Sequence, residues 1–380
     1  MIAQGLAGAA GTAAAAAVCG GGRRVGASRG RVPRVRCVPR SPTEMMSSSS
    51  SSSSPSPPLE SAGELTIRRK RPQSTRACGD VRFGQDDKYI VDEEVRRDLK
   101  PANILEEIVW SKEVEVDKMK EAMPLPMVNT LIKNGAAPPA RDFVGALRQG
   151  ATRNGVNGNA AVGLIAEVKK ASPSKGVLRA DFDPAAVARA YEAGGASCCS
   201  VLTDTDYFQG GFENLALIRR AGVACPLLCK EFIVYPYQIY YGRLKGADAI
   251  LLIAAVLPDS DLVYYSKIAH SLGMQVLIEV HTLAELDRVL GLDVKLDMVG
   301  VNNRNLKDFS VDLNLTVELV EKRGAEIQSK GAICVGESGI FTQEHLRFLA
   351  TSGVSAALVG ESLIKEPDCE LATKKLLGSS

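Results

Sequence analysis

The chain has 380 residues, of which 46 are Lys or Arg and 44 are Asp or Glu. The balance hides an asymmetry, because residues 101–380 carry 29 basic and 34 acidic side chains. A net acidic body argues against a protein that binds nucleic acid through its folded part.

Residues 1–59 differ from the rest in composition. They contain seven Arg, no Lys, a single acidic residue (Glu44) and a run of eight serines, Ser47–Ser54. Such a segment cannot bury enough apolar surface to fold, and its composition is typical of an organelle transit peptide. The alternative, an Arg-rich tail that binds nucleic acid, is disfavoured because no aromatic residues lie between the arginines. We therefore expect a disordered transit peptide over residues 1–65 and a charged connector over residues 66–100.

The nine cysteines and three histidines show no metal-finger spacing. Most cysteines are expected to be small core residues of a reduced compartment. The histidines share no pattern, which disfavours a His-centred triad or metal site. The apolar segment 11–22 is too short to span a membrane, and we expect no membrane span elsewhere.

Helix and strand patterns alternate along the rest of the chain. An amphipathic pattern predicts a helix over residues 104–121, followed by a proline-containing link at 123–126 and a short helix at 143–147. Short apolar runs then predict strands at 162–168, 197–203, 227–230, 249–253, 275–280, 298–301, 333–335 and 356–359. The helices predicted between and after them lie at 183–194, 212–221, 235–246, 259–272, 282–290, 312–323, 342–352 and 361–377.

This alternation predicts an α/β protein with a parallel sheet and helical crossovers. Eight strand–helix units suit a closed (β/α)8 TIM barrel, with an extra N-terminal helix before the first strand and a domain spanning residues 101–380. The alternative is an open doubly wound sheet. It is disfavoured because no Gly-x-Gly-x-x-Gly follows the first strand.

Charged side chains follow most of the predicted strands. In a closed parallel barrel the carboxyl ends of the strands form one rim, where barrel enzymes carry their catalytic groups. Glu167 and Lys169 are two apart and therefore face the same side of the first strand. Lys230 and Glu279 end buried runs, where burial and neighbouring charges shift pKa values. Asp204 and Glu231 are interpreted as polar strand ends that face water.

Two glycine-containing turns follow the last two strands, at residues 337–340 and 360–362. Barrels often bind phosphate at this place, where glycine lets backbone N–H groups approach the anion. These turns, with Lys169 and Ser172 from the first strand, predict a phosphate site. The alternative is that the glycines only form turns.

Residues 104–377 resemble the indole-3-glycerol-phosphate synthase family. The resemblance rests on the ordered motifs IAEVKKASPSKG, LTDTDYFQGG, LLCKEFIVYPYQI, VLIEVHT, VGVNNRNLKDF, ICVGESGI and VGESLIK. It implies ring closure of 1-(2-carboxyphenylamino)-1-deoxyribulose 5-phosphate to indole-3-glycerol phosphate in tryptophan biosynthesis. Carbon dioxide and water would be lost, and neither a cofactor nor a metal would be needed.

The resemblance also implies roles for individual residues. Lys230 would be the general acid, with a pKa lowered towards neutral by burial and neighbours, and Glu279 would be the general base of the dehydration. Glu167 would stabilise the iminium-like cation, and Lys169 would pair with the anthranilate carboxylate. The other implied residues are Asn302, Arg304, Glu337, Ser338, Phe208 and Phe232 for the substrate, with the phenylalanines on its aromatic ring, and Ser172, Gly339, Gly360 and the backbone of Glu361 for phosphate.

The implied partner is a small phosphorylated substrate, with no nucleic acid and no membrane. A monomer is expected, with possible contacts to other tryptophan-pathway enzymes. Because the leader resembles those of plant plastid forms, the mature protein is expected in the chloroplast stroma.

Two other functions stay open from the sequence. Phosphoribosylanthranilate isomerase has a similar barrel and phosphate site, but that family uses a Cys base on the first strand paired with an Asp acid. This chain has Glu167 and Lys169 on that strand instead. A non-catalytic barrel that binds a phosphorylated metabolite should have lost a catalytic group, yet Lys230 and Glu279 are both present.

Overall fold

The computed structural model describes residues 67–69, 81–83, 89–91, 100–305 and 309–378. The expected transit peptide and most of the expected connector lie outside the described residues. Two short antiparallel strands, Val81–Phe83 and Tyr89–Val91, precede the first helix. In the described part of the chain, no helix is both long and apolar enough to cross a membrane.

Eight parallel strands form a closed barrel, which confirms the predicted fold. They are β1 Gly163–Val168, β2 Cys198–Leu202, β3 Leu227–Lys230, β4 Ala249–Ile253, β5 Gln275–Val280, β6 Met298–Asn302, β7 Ile333–Glu337 and β8 Ala356–Val359. Each strand pairs with the next along the chain, and β8 closes the barrel by pairing with β1 in the register Val359↔Ala166. Almost every strand residue is buried, which explains the continuous apolar runs in the sequence.

Twelve helices are present in the described residues. They are α1 Ile104–Ala122, α2 Leu125–Lys133, α3 Phe143–Val156, α4 Pro184–Ala193, α5 Phe212–Arg220, α6 Pro236–Leu244, α7 Asp259–Ser271, α8 Leu283–Leu290, α9 Asn314–Ser329, α10 Gln343–Thr351, α11 Glu361–Ile364 and α12 Cys369–Leu377.

Several of these helices differ from the prediction. Helix α2 begins inside the expected proline-containing link, because proline is tolerated in a first turn, where its missing N–H has no helical partner. Helix α3 runs on to Val156. The helix predicted over 361–377 is two helices, because Pro367 interrupts it and Asp368 caps α12 by accepting a 2.9 Å hydrogen bond from the Leu371 N–H.

Helix α1 packs against the barrel. Asn103 caps it by accepting a hydrogen bond from the Glu106 N–H at 2.9 Å, and the buried side chains of Leu105 and Val109 join the main core. Tyr237 of α6 donates its hydroxyl proton to the carbonyls of Met119 and Met123, at 3.0 and 2.9 Å. The N-terminal helix is therefore part of the barrel's packing.

The cysteines in the described residues behave as core side chains. All six are buried and unpaired: Cys198, Cys199, Cys225, Cys229, Cys334 and Cys369. This confirms that part of the sequence prediction.

Candidate active site

The carboxyl ends of four barrel strands bring one lysine and three carboxylates together. Lys230 ends β3, and its Nζ lies 3.0 Å from Oε2 of Glu337 at the end of β7. Glu279 Oε2 on β5 and Glu167 Oε1 on β1 lie 3.8 and 3.9 Å from the same nitrogen. The structure thus gathers the charged strand ends that the sequence placed on one rim.

The three carboxylates decide the protonation state of Lys230. Burial alone would lower the pKa of Lys230, but the charges of Glu337, Glu279 and Glu167 outweigh burial and hold this pKa above its usual value. The expectation of a pKa lowered towards neutral is wrong, because the charges that surround the ammonium are anions. Lys230 is therefore protonated near neutral pH and has a proton to donate.

Glu337 lies beneath Lys230 and is 1% exposed. Burial raises the pKa of Glu337 to about 7, although the Lys230 ammonium opposes the shift, and the nearby Glu279 carboxylate raises it further. Near neutral pH, Glu337 is therefore present in both its protonated and its ionised form.

Glu167 and Lys169 form an ion pair at the end of β1. Burial opposes the ionisation of Glu167, but Lys169 and Lys230 hold its pKa below the usual value. On the other side of Lys230, His281 Nε2 lies 3.4 Å from Glu279 Oε1. Burial would lower the pKa of His281, but Glu285 and Glu279 raise it above its ordinary value.

A cavity of about 190 Å³ opens onto this cluster. The rings of Phe208 and Phe232 form part of its wall, with centroids 6.0 Å apart and planes tilted by 39°. The wall includes every site residue suggested by the sequence except Glu337, whose side chain holds Lys230 from below. These lining residues are Glu167, Lys169, Ser172, Phe208, Lys230, Phe232, Glu279, Asn302, Arg304, Ser338, Gly339, Gly360 and Glu361.

The two glycine-containing turns lie side by side at the cavity. The Ser362 hydroxyl donates to the Ile340 carbonyl at 3.0 Å, which joins the turn after β8 to the turn after β7. Ser338 has a φ of 65°, a backbone conformation that L side chains adopt at a cost and that recurs at ligand sites. Gly360 cannot carry a side chain without movement, because a Cβ there would lie 2.2 Å from Oε2 of Glu167.

Positive charge surrounds the carboxylate beside Gly360. Glu361 pairs with Lys365 at 2.6 Å. Burial would raise the pKa of Glu361, but Lys365, Lys175 and Lys169 lower it below its usual value. The Glu361 charge is therefore compensated at this end of the cavity.

Asp204 and Glu231 do not face water, and that interpretation is wrong. They are 0% and 1% exposed, and both lie beside the ammonium of Lys112 on α1. The only signal in the sequence was the position of Lys112, four residues after Ile108 and four before Val116 on the buried face of its helix. A charged residue on an apolar stripe has to find partners when it is buried.

Sequence reasoning also missed two other contributions to the site. Ile104, Leu105 and Ile108 of α1 line the cavity, so the N-terminal helix helps to form it. Asn303 is buried and donates through Nδ2 to the Glu337 carbonyl at 2.9 Å, while its Oδ1 accepts a hydrogen bond from Thr316 at 2.6 Å. Asn303 therefore ties the end of β6 to the end of β7.

The fold and the site define a (β/α)8-barrel enzyme with a lysine–carboxylate cluster at its strand ends. A family model described as indole-3-glycerol phosphate synthase matches residues 105–376. The chain belongs to the indole-3-glycerol phosphate synthase family, and it is therefore a carboxy-lyase of tryptophan biosynthesis.

Curated relatives with the same name come from cyanobacteria and a plant. The chain is similar to the indole-3-glycerol phosphate synthase of Microcystis aeruginosa, with 56% identity over 279 residues, 73% of this chain and 90% of the relative. The chloroplastic enzyme of Arabidopsis thaliana is 53% identical over 279 residues, 73% of this chain and 67% of the relative. The Trichodesmium erythraeum enzyme is 50% identical over 317 residues, 83% of this chain and 99% of the relative.

Proposed function

We propose that this chain closes the pyrrole ring of 1-(2-carboxyphenylamino)-1-deoxyribulose 5-phosphate, with Lys230 as the general acid. The observation that carries the proposal is the Lys230 ammonium, held within 4 Å of three carboxylates at the cavity. It protonates the ribulose carbonyl oxygen as the aromatic carbon attacks. Because its pKa is raised, Lys230 begins each turnover in the protonated form that this step needs.

Glu279 then acts as the general base that removes a proton during the dehydration. It lies 3.8 Å from Lys230, so one pocket holds both the acid and the base that the loss of water requires. Glu167 stabilises the iminium-like cation formed after ring closure. Decarboxylation proceeds because that cation accepts the electron pair of the breaking carbon–carbon bond.

The remaining lining residues bind the two ends of the substrate. Phe208 and Phe232 pack against the anthranilate ring, and Lys169 pairs with its carboxylate, with Asn302 and Arg304 nearby. Ser338 lines the same wall. The phosphate is bound by Ser172, by the backbone of Gly339 and Gly360, and by the backbone of Glu361, whose side chain is neutralised by Lys365.

The test is turnover of this substrate by the wild-type protein and by a Lys230→Met variant, followed as indole fluorescence and CO2 release without added metal. We expect kcat to fall at least about 1000-fold, since general acid catalysis contributes roughly that much. The matched control is Lys322→Met, which removes an exposed lysine of α9 that pairs only with its helix neighbour Glu318 in the described contacts. Near-normal kcat in Lys230→Met would refute the acid assignment.

Two additional measurements on the wild-type protein, substrate binding and turnover of phosphoribosylanthranilate, separate the rival functions. Tight binding of the substrate by wild-type protein without any turnover would favour a non-catalytic metabolite-binding barrel. Isomerisation of phosphoribosylanthranilate would favour the isomerase, although Glu167 and Lys169 occupy the strand where that enzyme needs its base. We also propose a monomer that acts in solution, which light scattering of the purified enzyme tests directly.

We further propose that the Arg-rich leader directs the protein to the plastid stroma and is removed upstream of Ile67. Arg68 forms two 2.8 Å side-chain hydrogen bonds to the buried carboxylate of Glu106, and its guanidinium lies 4.9 Å from the centroid of the Trp110 ring. Arg69 pairs with Asp261 on α7. These contacts support a catalytic domain that begins by Ile67, upstream of the boundary at residue 101 that the sequence suggested.

Two observations support this boundary. The match to the Trichodesmium relative covers 83% of this chain, so it begins no later than Ile67. The Arabidopsis relative is named chloroplastic. N-terminal sequencing of protein recovered from plastids should find a first residue before Ile67, and a first residue beyond Arg69 would refute the proposed boundary.

A further inference from the structure

A buried lysine outside the catalytic cluster binds two strand ends at once. The side chain of Lys112 on α1 is 1% exposed, and its Nζ lies 2.8 Å from Asp204 Oδ2 after β2 and 3.1 Å from Glu231 Oε1 after β3. Glu115 contacts the same nitrogen at 2.6 Å. Burial opposes the charge of Lys112, but these three carboxylates hold its pKa well above the usual value.

Each of the two strand-end carboxylates also fixes the backbone of a cavity residue. Asp204 Oδ1 accepts hydrogen bonds from the N–H groups of Tyr207 and Phe208, at 2.7 and 2.9 Å. Glu231 Oε1 accepts from the Phe232 N–H at 2.9 Å, while Oε2 accepts from the Thr203 hydroxyl at 2.7 Å. The two phenylalanines held in this way form the aromatic wall of the cavity.

The turn that carries Phe208 needs this support. Gln209 has a φ of 50°, which an L residue adopts only when its surroundings impose it. Two further hydrogen bonds join helix α1 to the turn: the Tyr207 hydroxyl donates to Glu107, and the Ser111 hydroxyl donates to Asp206, both at 3.2 Å. The helix and the turn thus form one hydrogen-bonded unit.

We propose that Lys112 is a positioning residue, which sets the spacing of Phe208 and Phe232 through Asp204 and Glu231 and so determines how tightly the substrate's aromatic ring binds. This inference rests on the proposed function, because it takes that ring as the occupant of the wall. Without the ammonium, the buried carboxylates of Asp204 and Glu231 lose their shared cation and repel each other. Because each accepts a hydrogen bond from the N–H of a phenylalanine, Phe208 and Phe232 move with them.

The experiment compares wild-type protein with Lys112→Met, which keeps most of the length of the side chain and removes its charge. Lys118→Met, an exposed lysine of the same helix, is the matched control. We expect the KM of Lys112→Met to rise about ten-fold, with a smaller change in kcat. A ten-fold change corresponds to the binding free energy of about one aromatic contact. Amide hydrogen exchange of peptides 203–210 and 230–234 should accelerate, while exchange in β5 to β8 stays as in wild type.

A purely structural role of Lys112 would give a different pattern and would overturn the proposal. In that case kcat falls in proportion to the folded fraction, KM is unchanged, and exchange accelerates across the barrel. If Lys112→Met does not fold, Lys112→Met/Glu231→Gln removes the charge of one of the two strand-end carboxylates and gives the same readouts. Failure of both variants to fold also overturns the proposal. Should wild-type protein not turn the substrate over, the proposed function fails, and hydrogen exchange still decides the role of Lys112.

Discussion

The pKa of Glu337 predicts a pH-dependent contribution to stability that a single substitution can isolate. Glu337→Gln keeps the shape of the side chain and mimics its protonated form, so it removes one titration and leaves Lys230 with Glu279 and Glu167 as neighbours. The matched control is Glu326→Gln, an exposed glutamate of α9. Any difference between the two variants therefore reports on the buried cluster.

The folded-state pKa of Glu337 is raised from 4.5 to about 7. Its protonated form therefore stabilises the fold fully below pH 4.5, and this stabilisation is lost as the pH rises through about 7. A shift of this size corresponds to about 3 kcal/mol over the whole window, at 1.36 kcal/mol for each pKa unit. Between pH 5 and pH 8, wild type should lose roughly 2 kcal/mol of unfolding free energy relative to Glu337→Gln.

The assay is urea unfolding of wild type and both variants at several pH values in this range, read as the difference in unfolding free energy. Other titrating groups affect all three proteins and cancel in the comparison. A constant difference between wild type and Glu337→Gln would refute the reasoning, because Glu337 would then be ionised throughout. A difference that changes in the opposite direction would mean that Lys230 dominates the pKa of Glu337.

Three further outcomes follow from contacts at the site and at the N-terminus. Lys169→Ala should raise KM by about ten-fold or more with a smaller effect on kcat, because it deletes a charge-assisted contact to the substrate carboxylate; steady-state kinetics would show an unchanged KM if the pairing is wrong. Gly360→Ala should lower kcat by at least about ten-fold while circular dichroism stays unchanged, since its Cβ would lie 2.2 Å from Oε2 of Glu167; full activity would contradict the close approach. Arg68→Met should lower the free energy of unfolding in urea by about 2 kcal/mol, because it leaves the buried Glu106 without its cation. An unchanged unfolding midpoint would mean that residues 67–69 are not part of the catalytic domain.

The barrel could be predicted because each strand carries its own local signal. A parallel strand buried on both faces is a continuous apolar run, and its helix is an amphipathic stretch that begins after a polar strand end. Closure follows from the count of eight such units. The start of α2 was misjudged because one residue type allows two outcomes: Pro124 and Pro126 suit either a link or the first turn of a helix.

The cluster around Lys230 could be predicted because its members lie at the carboxyl ends of barrel strands, which must meet at one rim. The contacts of Lys112 with Asp204 and Glu231 could not be predicted, because Lys112 lies on a helix that precedes the barrel. The position of that helix relative to the strand ends depends on tertiary packing alone. The same limit applies to the pKa of Lys230. The sequence shows a buried lysine, but only the structure shows three carboxylates around it.

Three consecutive residues, Lys230 at the end of β3 and Glu231 and Phe232 after it, make different contacts at the site. Lys230 contacts Glu337 inside the barrel, whereas Glu231, just after the strand, contacts Lys112 on α1. Phe232 follows and forms part of the aromatic wall of the cavity. Because the three residues are consecutive, we expect a shift of α1 that moves Glu231 to move Lys230 and Phe232 as well. The helix that precedes the barrel is therefore connected to Lys230 through the Lys112–Glu231 ion pair and one peptide bond.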